Sequence, residues 1–425
     1  MKYHAGVSHS AQTIESAVSM QTQVNARVVF LTHYIPLYQV RVLQEITKSI
    51  REFKILLSTP IEPNRDFRPD WSGLDVAVQK TITLRRRWKH RSAGFDDPLF
   101  VHVPYDTLSR LKSISPDVVF SHELGARSLA AARYCRRSGA KLVLATFMSE
   151  HTEQGRGWMR SRVRRRLISQ ADAITYNGPS CRDYLLSMGA DEKRLFHLPY
   201  AADDRNVLAE VPVRDEQAVR NRLLCIGQLS ARKGVLPLVQ QASEFCRRLD
   251  QSFEITFVGD GPLRSALEAL AAGQSIEGQA APDKRLKINV LGNQPAGDLP
   301  GLMLQHGAIV APTLADEWLL VVNEGMHAAM PVIGSVYAQA VTTLVRDNET
   351  GWQYDPLCPD QDHASSLSRA LDGYFRASDE QLVLMRQTAR EAASAYTPRK
   401  SADGAIAAIA SVVGGSAGSG VGSGL

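Results

Sequence analysis

Short runs of β-branched and aliphatic residues recur along this chain, separated by stretches with helical periodicity, and the rhythm restarts once. In the first half the runs fall at 27–32, 53–58, 117–121, 141–146 and 172–177. Several are unbroken Val/Ile/Leu segments, the pattern of strands covered on both faces. Helical stretches at 40–53 and 124–138 lie between them. After a polar stretch at 201–221 the runs resume at 222–227, 253–259, 286–292, 308–312 and 331–335. Such alternation builds a parallel sheet through right-handed crossovers. The expected fold class is therefore α/β, with two tandem Rossmann-like doubly wound domains facing across a cleft. Ligands of such sheets bind beyond the carboxyl ends of the strands, so the cleft is the expected site.

The expected division is a disordered N-terminal extension over 1–25, an N-terminal domain over 26–200, a linker over 201–220, a C-terminal domain over 221–395, and a terminal segment over 396–425. The last residues, from Gly414, are Gly/Ser-rich and read as a flexible tail. Hydrophobic residues make up 44% and charged residues 22% of the chain, which excludes wholesale disorder and fibrous classes. No apolar run is long enough for a membrane span, and the polar start lacks the apolar core of a secretory signal. Five scattered cysteines show no metal or redox spacing, so they read as reduced thiols of a cytoplasmic protein.

Four segments of the second half carry chemistry, each at a strand end. Gly227-Gln-Leu-Ser-Ala-Arg-Lys-Gly234 follows the first strand. Its glycine lets backbone approach a ligand, and Arg232 and Lys233 beside a strand-to-helix turn suit a diphosphate. Read alone, the two cations are also an ordinary solvated loop pair. Gly259-Asp-Gly-Pro262 is a tight strand-to-helix turn with proline suited to the first helical position. Asn293 stands in the next loop, Gly292-Asn-Gln-Pro295, which read alone is an ordinary turn and in a binding domain could flank a nucleotide base. The fourth segment runs from Pro312 to Ile333. In it Asp316 and Glu324 have seven residues between them. With a helix from Leu319 onward, Asp316 lies at its start and Glu324 within it, where free amides and positive potential favour anions. Two lone acids in such places can also be a cap and a solvated face residue.

Taken in order, these segments resemble the donor domain of retaining nucleotide-sugar glycosyltransferases of the GT-B fold (group 1, family 4-like, with two acids seven residues apart). The closest correspondence is Glu324-Gly-Met-His-Ala-Ala-Met-Pro-Val-Ile333, followed by Leu344-Val-Arg-Asp-Asn-Glu-Thr-Gly-Trp352. The resemblance covers about 222–356 through specific motifs and 27–200 more loosely. It implies transfer of a sugar from a nucleoside-diphosphate donor to a hydroxyl acceptor, a glycan or lipid-linked glycan, with retention at the anomeric carbon. Lys233 with Arg232 would hold the diphosphate, Glu324 the ribose, and Asp316 would stand near the donor sugar. Gly227, Gly259 and Asn293 would line the donor, and the amides of Leu320 and Val321 would meet phosphate or sugar. His151, in Ser149-Glu-His-Thr152, would be the histidine of the opposite wall. His33, His122 and Glu123, each at a strand end, would face the acceptor. The family implies no metal and no cofactor, the nucleotide-sugar being a co-substrate. The one Asp-x-Asp, Asp360 and Asp362, reads instead as caps of a helix at 364–375.

Departures are visible. Gln228 stands where the family has arginine, Asp316 is one methylene shorter than the usual glutamate, and Leu319 occupies a common glycine position. They leave open two alternatives: a degenerate protein that binds nucleotide-sugar or glycan, and an epimerase on the same fold. A nicotinamide dehydrogenase and a P-loop kinase lack their glycine signatures here.

Charge is uneven. Residues 1–205 hold 31 Lys/Arg against 20 Asp/Glu, whereas 206–425 hold 18 against 24. The densest basic runs are 85–91, after a strand-like 74–84, and 160–166, read as a helix with Val163, Leu167 and Ile168 inward and arginines outward. Such runs serve nucleic acid or an anionic membrane, or form an ordinary solvated basic face. With lipid-linked acceptors implied by the resemblance, the expectation is peripheral docking at the inner face of the cytoplasmic membrane and no nucleic-acid partner.

Overall fold

The computed structural model describes residues 23–63, 68–155, 157–358 and 362–414. The expected extension up to residue 22, Asp360 and the tail beyond Gly414 lie outside them. Two parallel sheets organise the rest. The first contains β1 (Val24–Thr32), β2 (Ile50–Leu57), β3 (Asp75–Val78), β6 (Val118–His122), β7 (Lys141–Ala145), β8 (Ala173–Tyr176) and β9 (Leu195–His197). A hairpin of β4 (Thr81–Lys89) and β5 (Asp96–Pro104) is inserted between β3 and β6. The sheet order is β3-β2-β1-β6-β7-β8-β9. The second sheet contains β10 (Arg222–Ile226), β11 (Phe253–Val258), β12 (Leu286–Gly292), β13 (Ala308–Ala311), β14 (Val332–Ser335) and β15 (Gly351–Tyr354), ordered β12-β11-β10-β13-β14-β15. Each order reverses beside its first strand, β1 and β10, the switch point where doubly wound sheets leave a crevice.

Central strands such as β6 and β13 are buried at every residue. Their unbroken apolar runs are legible for that reason: both faces meet helices. The half-exposed hairpin and the short β3, β9 and β15 carry no such run. The segment 74–84, expected as one strand, is therefore split between β3 and β4. The helix expected at 40–53 is Leu37–Ser49 and passes directly into β2. Residues 24 and 25, expected in the extension, belong to β1, where Val24 pairs with Ile50.

The terminal segment beyond 396 contributes a helix, Pro398–Val413, that returns to the first domain. Its Ala402, Ala405, Ala408 and Ile409 are buried in the same core as Val28 and Ile55. This i, i+3, i+6, i+7 stripe, three of its four side chains alanine, lets the helix lie close to the first sheet. Gly404 sits directly on backbone, since a Cβ there would collide with the His197 carbonyl. The segment 201–220 contains a short helix, Glu216–Val219, and Glu216 is buried against Arg386. Among the described residues no helix is long and apolar enough to cross a membrane.

Candidate active site

The carboxyl ends of both sheets open on one cleft. Its hollow, about 450 Å³, is lined by His33, His122 and Glu123 from the first domain and by Gln228, Arg232, Lys233, Asp316, Leu319 and Leu320 from the second. Asp97 and Pro98 of the hairpin close its side. The floor joins the domains through the Tyr200 and Trp318 rings, stacked with centroids 5.8 Å apart.

The donor-side cations are built by backbone. β10 ends at Ile226, and the chain turns through a single helical turn, Ala231–Lys233, into the helix Val235–Leu249. Gly234 makes that turn possible at φ 68°, pressed so close to Pro312 that a Cβ would strike its carbonyl oxygen. Arg232 and Lys233 are thereby held against the loop after β13. Both donate to one carboxylate oxygen of Asp316, Arg232 at 3.1 Å and Lys233 in a shorter contact. Burial pushes the Asp316 carboxyl up, but Lys233 and Arg232 outweigh it and hold the group well below the usual carboxylate range. Asp316 is thus an anion clasped by cations, and its bond to a helix-side amide is the longer one at 3.4 Å to Trp318. Arg232 is further bonded to the Ala315 carbonyl at 3.0 Å and to Asp97 at 3.0 Å.

A small recess behind Lys233, lined by Gly227, Gln228, Pro312, Thr313 and Leu319, shares Gln228, Lys233 and Leu319 with the cleft and continues it. Gly259 does not reach the hollow. It supports Gly227 from below, where a Cβ would overlap the Gly227 carbonyl. The helix carrying Glu324 begins at Val321, with Leu320 as its N-cap residue, two residues later than expected. Leu319 has φ 82°, a left-handed backbone that removes it from the helix. The Val321 side chain is buried in the core, so only its amide is a candidate contact. First-turn amides lack intrahelical partners, which leaves those of Leu320 and Val321 turned to the helix start.

Glu324 departs from expectation. It does not line the cleft, but a second hollow with Leu208, Leu299, Pro300, Met303 and His327 on the far side of the helix start. Burial there, reinforced by Asp203, raises its carboxyl to about 7. Lys233 and Glu324 therefore flank the helix start from two openings instead of sharing one. Asn293 is exposed and lines neither opening.

On the acceptor side, His122 Nδ1 lies 2.8 Å from Thr32 Oγ1, leaving Nε2 as its free ring nitrogen. Burial lowers His122 to about 4 and lowers His33 well below its ordinary value, so both rings are neutral near pH 7. Glu123, at φ 67°, lies 3.9 Å from His33 Nδ1 and 3.3 Å from Arg127. Partial burial opposes its ionisation, but His33 and Arg127 hold it at about 2. The three groups present ligand atoms within 4.8 Å of one another. That spacing admits a divalent ion, and it equally admits hydroxyls shared between carboxylate and imidazole. The Arg127 cation on the same carboxylate favours hydroxyls.

His151 is not in this cleft. Its Nε2 bonds the Leu314 carbonyl at 2.8 Å, and its ring stacks on Tyr337 at 4.1 Å. It lines a different interdomain hollow with Ser180, Asp183 and Tyr184. The structure thus sets His151 apart from the cleft residues, with one imidazole nitrogen engaged by the Leu314 carbonyl of the other domain. Asp97 was not legible in sequence, because a strand acid 135 residues from its partner has no local signal. Elsewhere, Asp362 pairs with Arg248 and the cap of the helix Leu367–Arg376 is Ser366. Cys135, Cys181, Cys225 and Cys246 are buried, and burial pushes each thiol up to about 12, as inert core residues should be.

Comparison with known proteins agrees with this architecture. Residues 220–375 match the family described as Glycosyl transferases group 1, and residues 37–201 match the Glycosyl transferase 4-like domain. No curated protein matches the sequence. Among solved structures, Anabaena Alr3699/HepE in complex with UDP is 14% identical with a TM-score of 0.66, covering 91% of this chain and 100% of that one. Sucrose-phosphate synthase from Thermosynechococcus elongatus is 14% identical at 0.63, covering 92% and 100%. The lipopolysaccharide outer core galactosyltransferase WaaB is 13% identical at 0.61, covering 90% and 99%. These likenesses, below 15% identity, establish the two-domain GT-B fold. With both halves matched in order, the chain belongs to the glycosyltransferases, joining a 4-like first domain to a group 1 second domain.

Proposed function

We propose that the protein transfers a glycosyl group from a nucleoside-diphosphate sugar to a hydroxyl of a glycan or lipid-linked glycan, with retention at the anomeric carbon. The observation that carries this reading is the clasp of Arg232 and Lys233 on one Asp316 oxygen at the edge of the cleft. An incoming diphosphate offers these cations more oxygens and more charge than one carboxylate does. Its leaving-group charge grows during transfer and meets fixed positive groups that need no metal. We assign the ribose hydroxyls to Glu324, whose carboxyl lines a separate hollow beyond the helix start. The neighbour bound to UDP, and another complex of the same protein with UDP-glucose, support a uridine donor as the first to try.

Asp316 is ill suited to attack the sugar, because both cations compete for its lone pairs. We assign it to positioning. The C1–diphosphate bond then breaks as the acceptor oxygen bonds to C1 on the same face, and the acceptor proton passes to the departing phosphate oxygen. Glu123 and the neutral His122 and His33 orient the acceptor hydroxyl.

A thermal-shift series with UDP, GDP and ADP and their sugars tests the donor, since a ligand of the folded form raises the melting midpoint. One nucleotide should raise it and Lys233→Ala should abolish the shift. Silence from all of them would overturn the reading. Product analysis separates the alternatives: an epimerase converts donor without acceptor, and a binding protein shifts the midpoint without turnover. The second of these draws on Leu319, whose side chain stands at the junction of cleft and recess.

A further inference from the structure

We propose that the outward face of the helix Trp158–Gln170 is a docking surface for an anionic phospholipid membrane. The helix begins with two apolar side chains that no described residue covers: Trp158 is 73% and Met159 66% exposed. They are among the most exposed large hydrophobic residues of the structure. At 100° per residue, Trp158, Met159, Arg162, Arg165 and Arg166 fall within an arc of roughly 120°. The opposite arc carries Leu167 and Ile168 into the core. Arg164, expected outward with the other arginines, is buried there instead, paired with Glu153 and 3.2 Å from the Tyr184 hydroxyl. The inner face is thus fixed by packing, and the outer face is left as an apolar pair followed by cations.

Arg162, Arg165 and Arg166 are exposed, and no described acid pairs with them. The second basic run adjoins this helix. The Trp88 indole of β4 donates to the Gln154 carbonyl at 3.1 Å, and Gly155 lies so near Lys89 that a Cβ would strike its carbonyl. Two runs separated by some 70 residues of sequence therefore meet where the helix begins. Arg85 and Arg86, both exposed on β4, add to the same positive field.

The occupant follows from this chemistry. Several arginines match a surface of phosphates, whether lipid or nucleic acid. The apolar pair discriminates between them. A tryptophan is at home at the headgroup level, and a methionine beside it gains from acyl chains. Bases would stack chiefly on the tryptophan, and Met159 would gain less from a base edge than from acyl chains. This inference does not rest on the donor or acceptor proposed above.

The test is flotation of the full chain with vesicles of phosphatidylglycerol and phosphatidylcholine, against phosphatidylcholine alone. Binding should require the anionic lipid and fall with added salt. Replacing Arg162, Arg165 and Arg166 by glutamine should reduce partitioning roughly 100-fold. Trp158→Ser with Met159→Ser should reduce it about tenfold while the melting midpoint is unchanged, these side chains being exposed. Brominated acyl chains should quench tryptophan emission in the unmodified protein and lose most of that effect in Trp158→Ser. Absence of flotation, quenching that survives Trp158→Ser, or single-stranded RNA that binds more tightly and displaces the vesicles would each overturn the proposal.

Discussion

Asp97 of the inserted hairpin reaches across the cleft to Arg232, its carboxylate 3.0 Å from the guanidinium Nε. The contact is backed by an apolar clamp in which Phe95, with Trp88, packs against Leu314, Ala315 and Leu357. Arg232 thus meets two carboxylates and a carbonyl before any donor arrives. Asp97→Asn removes one competing anion while keeping the shape of the side chain. Nucleoside diphosphate should then bind about 3–10-fold more tightly, as expected when a charge-assisted bond no longer competes. Titration calorimetry reads this directly, and weaker binding would show that Asp97 organises the site instead of blocking it.

Lys233 has the opposite sign. Its ammonium is the second clasp on Asp316 and lines both the cleft and the recess behind it. Bonds of this kind to charged groups contribute about 1.5–3 kcal/mol, so Lys233→Ala should weaken diphosphate binding roughly 10–100-fold. A nucleoside lacking phosphates should bind the variant and the parent alike. Equal loss for both ligands would mean that the substitution had collapsed the loop.

Glu324 sets a pH dependence. Burial raises its carboxyl from an ordinary 4.5 to about 7, so between those values the folded chain holds a proton that the unfolded chain releases. Its contribution to stability is complete below about pH 4.5 and is lost as pH rises through 7. Glu324→Gln removes that dependence. Denaturant midpoints of the two proteins should therefore diverge across this window, the parent losing ground as pH rises. Parallel curves would place Glu324 in solvent.

Arg386 bonds both oxygens of Glu216, at 2.7 and 2.8 Å, and also the Gly307 carbonyl at 2.9 Å. Both side chains are almost wholly buried. Removing one partner of such a pair strands the other charge, at a cost of about 3–5 kcal/mol. Arg386→Ala should lower the urea midpoint accordingly, and a change below 1 kcal/mol would mean that water reaches Glu216. This pair anchors the interdomain segment to the second domain.

The sequence disclosed what depends on local pattern. β1, β6, β7 and β10 to β14 follow from apolar runs, and the cationic turn at 232–233 follows from its place between a strand and Gly234. Features made by long-range packing left no such mark. The hairpin is exposed along β4, so its alternation carries no inward face to read. The helix Pro398–Val413 is alanine-rich and gives little amphipathic signal, yet its small side chains are what let it lie on the first domain. His151 sits beyond the expected strand, but its orientation depends on Leu314 and Tyr337 of the other domain. Sequence spacing located the Glu324 helix and could not tell which side of its start the carboxylate would face.

Leu319 brings these strands of argument together. It is a non-glycine residue at φ 82° in the loop between Asp316 and the Glu324 helix. A left-handed backbone costs an L residue roughly 1–2 kcal/mol. Leu319 is retained there half-buried, packed against the core around Trp318 and Val322. Leu319→Gly relieves the strain but gives up part of a leucine's burial, about 1 kcal/mol, and adds the entropy of a freer unfolded chain, about 0.5–1 kcal/mol. The terms nearly cancel, so the denaturant midpoint should shift by no more than about 1 kcal/mol. The recess behind Lys233 loses a wall, however, and donor should bind more tightly with turnover raised or newly measurable. If stability falls by well over 2 kcal/mol, the leucine is a structural plug whose packing outweighs its backbone cost. If stability holds and the donor still binds no better, the side chain does not obstruct the donor's path, and its place at the junction of cleft and recess has no bearing on activity.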